Sequence, residues 1–230
     1  MELRMVENIQ LTNKRLETYT AEERVEWALE VFDVEDIAFT SAFGIYAAAY
    51  IHVVNTVIPN LNVYFLDTRF HFKETWEFKA QLEDRLDINV VVLEPLITIE
   101  NLKHTLGEKP YETNASNCCN VNKVVPLNNL LLNKDLWITG VQKHQTQNRK
   151  DVPVLEQRKD LLYKLNPILD WTAKDIYQYS EKHKLPLHPL FEKGYSSIGC
   201  LPCTRPVLPG EDERAGRWAG QEKTECGLHL

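Results

Sequence analysis

The chain has 230 residues, 43% of them hydrophobic, and a formal net charge of -7. That length can bury a sizeable core, in one domain or in one domain with an appendage. The acidic surplus speaks against generic nucleic-acid binding, and no run approaches the roughly 18 uninterrupted apolar residues of a membrane span. The opening Met-Glu-Leu-Arg-Met-Val-Glu lacks the apolar core of a secretory signal. The expectation is a cytoplasmic protein without a membrane or nucleic-acid partner.

Thr20 followed by Ala-Glu-Glu reads as a helix start with acidic residues in its first turn. A strand follows over 37–40, then the small-residue turn Ser41-Ala42-Phe43-Gly44, an apolar helix over 45–56, and a strand over 62–66 that ends at Asp67. A helix over 73–86, a strand over 88–93 and a strand over 136–140 continue the alternation. Strands separated by helices predict an α/β fold with a doubly wound, mostly parallel sheet. Such sheets bind ligands beyond the carboxyl ends of their strands. Here those ends carry residues 40–44, 67–70 and 140–145. From Pro206 onward, glycines at 210, 216, 220 and 227 and scattered charges leave little to build a core with. The predicted organisation is a domain over 1–205 and a mobile tail over 206–230.

The five cysteines divide into Cys118 with Cys119, Cys200 with Cys203, and Cys226 alone in the tail. An odd count in a reducing compartment argues for metal ligation or thiol chemistry over structural disulfides. Four thiolates can close a tetrahedral zinc site or hold a 4Fe-4S cluster. Adjacent residues seldom serve one zinc, whose loops space ligands two to four residues apart; a cube offers separate iron corners, so the cluster is the expectation. Cys226 is then left as a free nucleophile.

The run Gly194-Tyr195-Ser196-Ser197-Ile198-Gly199-Cys200-Leu201-Pro202-Cys203-Thr204-Arg205-Pro206, the stretch from Gly210 through Arg214, Gly216, Arg217 and Trp218, and the terminal Lys223-Thr224-Glu225-Cys226-Gly227-Leu228-His229 resemble the thioredoxin-dependent assimilatory adenylyl-sulfate and phosphoadenylyl-sulfate reductases. The resemblance continues upstream in Leu66-Asp67-Thr68-Arg69-Phe70-His71, Trp137-Ile138-Thr139-Gly140 and Asn166-Pro167-Ile168-Leu169-Asp170-Trp171-Thr172. It implies the adenine nucleotide alpha hydrolase-like fold shared with ATP pyrophosphatases, a phosphate loop at Ser41, Phe43 and Gly44, and nucleotide contacts at Asp67 and Thr68. Arg69 stands where relatives carry glycine, which puts close backbone approach there in question.

The same resemblance implies that Lys123, Lys143, Arg149, Arg214, Arg217 and His229 hold the substrate, and that Cys118, Cys119, Cys200 and Cys203 hold the cluster. An anionic phosphosulfate approached by a thiolate needs such cations whatever the family. Two departures thin the set: Asn122 precedes Lys123 where Arg-Lys is common, and Gln142 stands where an arginine is commoner. Cys226 is expected to attack the sulfate sulfur, expel AMP and carry a thiosulfonate. Lys223 and His229 would favour its thiolate, and Glu225 would oppose it. With the other thiols committed, an external dithiol must resolve the intermediate, and the family's partner is thioredoxin, with glutaredoxin as the other candidate donor. A homo-oligomer is allowed. The cysteine quartet resembles the adenylyl-sulfate branch, while Phe43-Gly44-Ile45 looks closer to the phosphoadenylyl-sulfate branch. The rival readings are a zinc-stabilised interaction protein, which would not explain Cys226, and an ATP pyrophosphatase, which usually needs a Ser-Gly-Gly-x-Asp-Ser loop.

Overall fold

The computed structural model describes residues 6, 8–158, 162–221, 223 and 225–228. Helices α1 (Ile9–Leu16) and α2 (Ala21–Val31) lead into the sheet. Thr20 opens α2 through a capping box: its hydroxyl accepts from the Glu23 amide at 3.2 Å, and the Glu23 carboxylate accepts from the Thr20 amide at 2.7 Å. Arg24, buried on α2, donates to both carboxylate oxygens of Asp170, at 2.6 and 2.9 Å, and to the carbonyls of Leu16 and Pro167. This ties the amino-terminal helices to the far end of the domain.

The strands β1 (Ile37–Thr40), β2 (Val63–Leu66), β3 (Val90–Leu93), β4 (Leu136–Ile138), β5 (Leu155–Gln157) and β6 (Tyr163–Leu165) form one six-stranded sheet in the order β3-β2-β1-β4-β6-β5. All neighbours are parallel except β5 and β6. The connecting helices are α3 (Ala47–Val57), α4 (Lys73–Leu86), α5 (Ile99–Leu106), α6 (Pro110–Thr113), α7 (Ala115–Cys119), α8 (Val125–Leu131) and α9 (Ala173–Lys182). The first four strands match the sequence reading. The antiparallel hairpin of β5 and β6 was absent from it.

Side chains alternate across the sheet. Ile37, Phe39, Val63, Phe65, Leu136 and Ile138 enter the main core with α2, α3, α4 and α9, while Ala38 and Trp137 turn to the other face with Leu127 and Leu131 of α8. Helices therefore cover both faces, as a doubly wound sheet requires.

The described part of the tail is packed on this body. Thr204 and Arg217 form an isolated antiparallel bridge, the Arg205 amide donates to the Gly216 carbonyl at 2.9 Å, and the Val207 amide to the Gly194 carbonyl at 3.0 Å. Trp218, at φ 48°, is buried, and its amide donates to the Cys203 carbonyl at 3.0 Å.

Candidate active site

From β1 the chain runs outward through β2 to β3, then returns to the opposite side of β1 as β4. The connections leaving β1 and β4 thus diverge, and this switch point is where open α/β sheets bind ligands. A cavity of about 230 Å³ lies there. Thr40 and Ser41 line it from the end of β1, Thr139 and Gly140 from just beyond β4, and Arg214, Arg217, Glu225 and Cys226 from the tail. A Cβ on Gly140 would sit 2.9 Å from the Tyr50 ring, so only glycine lets the β4 end lie against α3.

The turn after β1 is built on two local features. The Ser41 hydroxyl accepts from the Phe43 amide at 3.1 Å, and Phe43 adopts φ 48°. The Phe43 ring then turns away from the cavity into the core, edge-on to Phe65 at 5.3 Å. Ser41 and Gly44 line the cavity, and α3 starts at Ala47 with no side-chain cap. An uncapped helix start can take an anion on its free amides.

At the end of β2, Thr68 reaches the cavity but Asp67 is outside the lining. The Asp67 carboxylate accepts from the Arg69 amide at 2.7 Å in a tight turn. Arg69 takes φ 62°, the conformation a glycine would supply, and anchors its guanidinium on the carbonyls of Ile97 at 2.6 Å and Pro95 at 3.3 Å. The glycine-type backbone is therefore kept without the glycine.

The cysteines come from three segments. Cys118 and Cys119 sit on α7, capped by the Asn114 side chain, which accepts from the Asn117 amide at 3.1 Å. A π-turn over Asn120–Val124 follows and carries Asn122 and Lys123. Cys200 is bridged to His71, and Cys203 closes the 3-10 turn Leu201–Cys203. All four line one small cavity together with Thr68, Lys123, Arg217 and Trp218. Cys200 Sγ lies 3.2 Å from Thr68 Oγ1, and Asn122 Nδ2 lies 3.6 Å from Cys118 Sγ. Burial, and then the charges of Cys119, Cys200 and Cys203, push the Cys118 thiol up to about 12; burial, and then Cys200 and Cys119, push Cys203 up to about 11. Cys118 and Cys203, pushed up in this way, need a cationic group to hold them as thiolates. Among the described residues no three His, Cys, Asp or Glu side chains gather as they would around a single ion. Trp218 Nε1 and Arg217 Nε are buried here without acceptors among the described residues. Thiolates at several corners with spare N–H donors beside them suit a group rich in acceptor sulfurs.

Cys226 is half-buried on the larger cavity. Lys123 and Arg217 line both cavities, and among the described residues neither has a carboxylate partner. Burial pulls the Lys123 ammonium down, but Cys200, Cys226 and Cys119 together hold it above its ordinary value. The Arg217 guanidinium stacks on the Trp218 ring at 4.5 Å.

Arg149 and Arg214 also line the cavity, but both contact the tail's own Glu225. Lys143 lies outside the lining, with its amide bonded to the Leu169 carbonyl at 2.8 Å. Arg205 is half-buried, absent from the cavity lining and paired with Glu211 at 2.8 Å. His229 falls outside the described residues. His144 Nε2 meets the Glu213 carboxylate at 3.1 Å, a contact that holds the ring's pKa above its ordinary value. Glu225, on the cavity wall, entered the sequence reading only as a charge opposing Cys226, and Glu213, the partner of His144, was given no role there. Their only signal was position, each directly before a predicted functional residue.

The sheet order and the switch-point cavity define an adenine nucleotide alpha hydrolase-like protein. A solved NH3-dependent NAD synthetase from Campylobacter jejuni shares this fold at TM-score 0.52 and 15% identity, over 83% of this chain and 79% of that one. A solved phosphoadenylyl-sulfate reductase from Candida auris, in a phosphate complex, superposes at TM-score 0.72 and 23% identity, over 86% of this chain and 96% of that one. Residues 36–206 match the family described as the phosphoadenosine phosphosulfate reductase domain, and the chain belongs to that family. A relative from Bacillus cereus (strain Q1), named adenosine 5'-phosphosulfate reductase, is 39% identical over 93% of this chain and 92% of its own length.

Proposed function

We propose that the protein reduces adenylyl sulfate to sulfite and AMP in sulfate assimilation, taking electrons from a thioredoxin or glutaredoxin in the cytoplasm. The observation that carries this reading is the meeting of Cys226, Lys123 and Arg217 on one cavity at the switch point of an adenine-nucleotide fold. The relative named for adenosine 5'-phosphosulfate, similar along nearly its whole length, favours adenylyl over phosphoadenylyl sulfate.

In this reading the nucleotide's phosphate lies toward Ser41 and the start of α3, and the sulfate toward the tail. The Cys226 thiolate attacks the sulfate sulfur, the sulfur–oxygen bond to the phosphate breaks, and AMP leaves with that electron pair. Lys123 and Arg217 offset the charge that would otherwise repel thiolate from sulfate. A donor thiolate then attacks Sγ of the S-sulfocysteine, sulfite leaves with the bonding pair, and the donor's second thiol closes its disulfide and frees Cys226. The dithiol supplies both electrons. Cys118, Cys119, Cys200 and Cys203 would hold a 4Fe-4S cluster, which would supply fixed charge beside the sulfate rather than electrons. Residues 206–230 act as a segment that opens for substrate and closes over it.

The test is sulfite release from adenylyl sulfate and, separately, phosphoadenylyl sulfate, by anaerobically purified protein with a dithiol donor. Wild-type protein should turn over adenylyl sulfate faster and contain about four irons per chain. Cys226→Ser should release no sulfite yet keep its iron. Turnover by Cys226→Ser, or one zinc and no iron, would refute the assignment of nucleophile and quartet.

A further inference from the structure

Glu225 is the least expected occupant of the cavity wall. Its side chain is 4% exposed, and both its oxygens are engaged. Arg149 grips it in a fork, Nε to Oε1 at 2.8 Å and Nη2 to Oε2 at 2.9 Å. Arg214 Nη2 adds a contact to Oε2 at 3.2 Å, and the Thr146 hydroxyl donates to Oε1 at 3.2 Å. A carboxylate removed from water costs stability unless it is paired and hydrogen-bonded this fully. Arg149 is itself held on its other side, Nη1 donating to Gln145 Oε1 at 2.6 Å. The fork therefore presents a fixed surface from the loop after β4.

The rest of this segment is held weakly. Beyond Trp218, the described residues offer the exposed side-chain hydrogen bonds of Gln221 to Tyr111 and Lys223 to Ser116, both at 3.3 Å, a local turn bond from the Gln221 amide to the Trp218 carbonyl, the Lys223 ammonium 5.8 Å from the Trp218 ring, and the half-buried Leu228 against the α8 side of the sheet. Glu225 supplies the buried polar anchor, one residue before the thiol.

We propose that Glu225 is a positioning residue: the Arg149–Glu225–Arg214 clamp, closed by Thr146, fixes the backbone that presents the Cys226 thiol to the cavity. The inference rests on the reading of Cys226 as nucleophile. It divides the cations by task, with Arg149 and Arg214 holding the tail while Lys123 and Arg217 are left to face the substrate anion. Arg149, expected from the sequence as a substrate ligand, thereby becomes a ligand of the tail.

The experiment uses the iron-loaded enzyme mixed with adenylyl sulfate without any dithiol, following by intact mass and peptide mapping the rise of about 80 Da that one sulfonate adds to Cys226. Glu225→Gln keeps the shape but loses the charge. It should slow adduct formation about 10- to 100-fold, the scale of one lost charge-assisted clamp, while the Kd for AMP stays within about threefold. Arg149→Gln should slow it similarly, and the double variant should be little worse than either single one, because all three break the same clamp. Adduct formation at the wild-type rate in Glu225→Gln would overturn the inference. So would a lower KM with unchanged kcat, which would make Glu225 a competitor for the anion site. Should Glu225→Gln fail to fold, Thr146→Val removes only the hydroxyl partner and should slow the step about threefold to tenfold; no slowing there would equally overturn the inference. Wild-type protein that forms no adduct at Cys226 would instead refute the nucleophile assignment.

Discussion

Gly199 and Gly216 offer a paired test of how the tail is held, because a methyl group added at each meets a different kind of obstacle. At Gly199 the new Cβ would fall 2.1 Å from Arg217 Nη2 and 2.4 Å from its Cζ. That obstacle is the end of a flexible side chain, so the guanidinium swings aside and the backbone stays. Gly199→Ala should then forfeit chiefly the stacking of Arg217 on Trp218, about 1 kcal/mol, which lowers the melting temperature by about 2–4 °C for a chain of this size. Function should suffer more: a misplaced Arg217 loses one charge-assisted contact to the substrate anion, about 1.5–3 kcal/mol, or roughly 10- to 150-fold in kcat/KM. At Gly216 the Cβ would fall 2.1 Å from the backbone oxygen of Arg205, inside the hydrogen-bonded bridge of Thr204 and Arg217. Backbone cannot swing aside, so Gly216→Ala should cost about 3 kcal/mol or more. The assay is sulfite release at subsaturating adenylyl sulfate beside a thermal melt, with iron content measured in each sample because Cys200 adjoins Gly199. If Gly199→Ala retained iron and kept kcat/KM within twofold, or if Gly216→Ala melted like the wild type, the account of how the tail packs would be wrong.

Asp170→Asn should destabilise the fold by about 2 kcal/mol, since the buried Arg24 guanidinium loses its charged acceptor, and denaturant melts would read this. Burial pushes the Asp170 carboxyl up, but Arg24 outweighs it and leaves the group below the ordinary aspartate range; the contribution is present above that range and lost as pH falls through the lowered value, so the variant and wild type should converge in strong acid. His144 has its folded pKa raised by Glu213, so this contact is fully present below the ordinary histidine pKa and lost as pH rises through the raised one. Limited proteolysis of the 206–221 segment should accelerate over that rise, and His144→Ala should flatten the dependence. Arg69→Gly should leave stability within about 1 kcal/mol of wild type, because relief of the left-handed backbone offsets two lost hydrogen bonds to carbonyls; a melting shift beyond about 4 °C would refute that balance.

The first four strands were legible because each is an apolar run between helical segments. The hairpin of β5 and β6 was not, and Lys164 shows why. A lysine in the middle of a three-residue strand reads as surface, yet it is buried because Glu156 on the neighbouring strand meets it at 2.8 Å. That pairing exists only once the strands are side by side. The helix that carries Cys118 and Cys119 was not part of the sequence reading either: it depends on the Asn114 cap and runs on into a π-turn. In the site, the cysteines and tail arginines stood out by residue type alone. Side-chain direction did not, so Phe43 was assigned to the substrate although its ring faces the core, and Lys143 although it lies off the cavity. Glu225 was read as opposing its neighbour's ionisation, whereas its charge is taken up by Arg149, 76 positions away.

The cysteine quartet has a consequence for how the protein is made. Cys118 and Cys119 are synthesised well before Cys200 and Cys203, and the backbone link from Trp218 to Cys203 comes later still. At a synthesis rate of about 5–20 residues per second, the first pair of thiols waits several seconds on a nascent chain before its partners exist. Throughout that interval the pair is open to oxidation and to stray metals, with no tail to cover it. Yield of intact protein should therefore depend on the redox state and metal supply around the ribosome as much as on the stability of the finished fold.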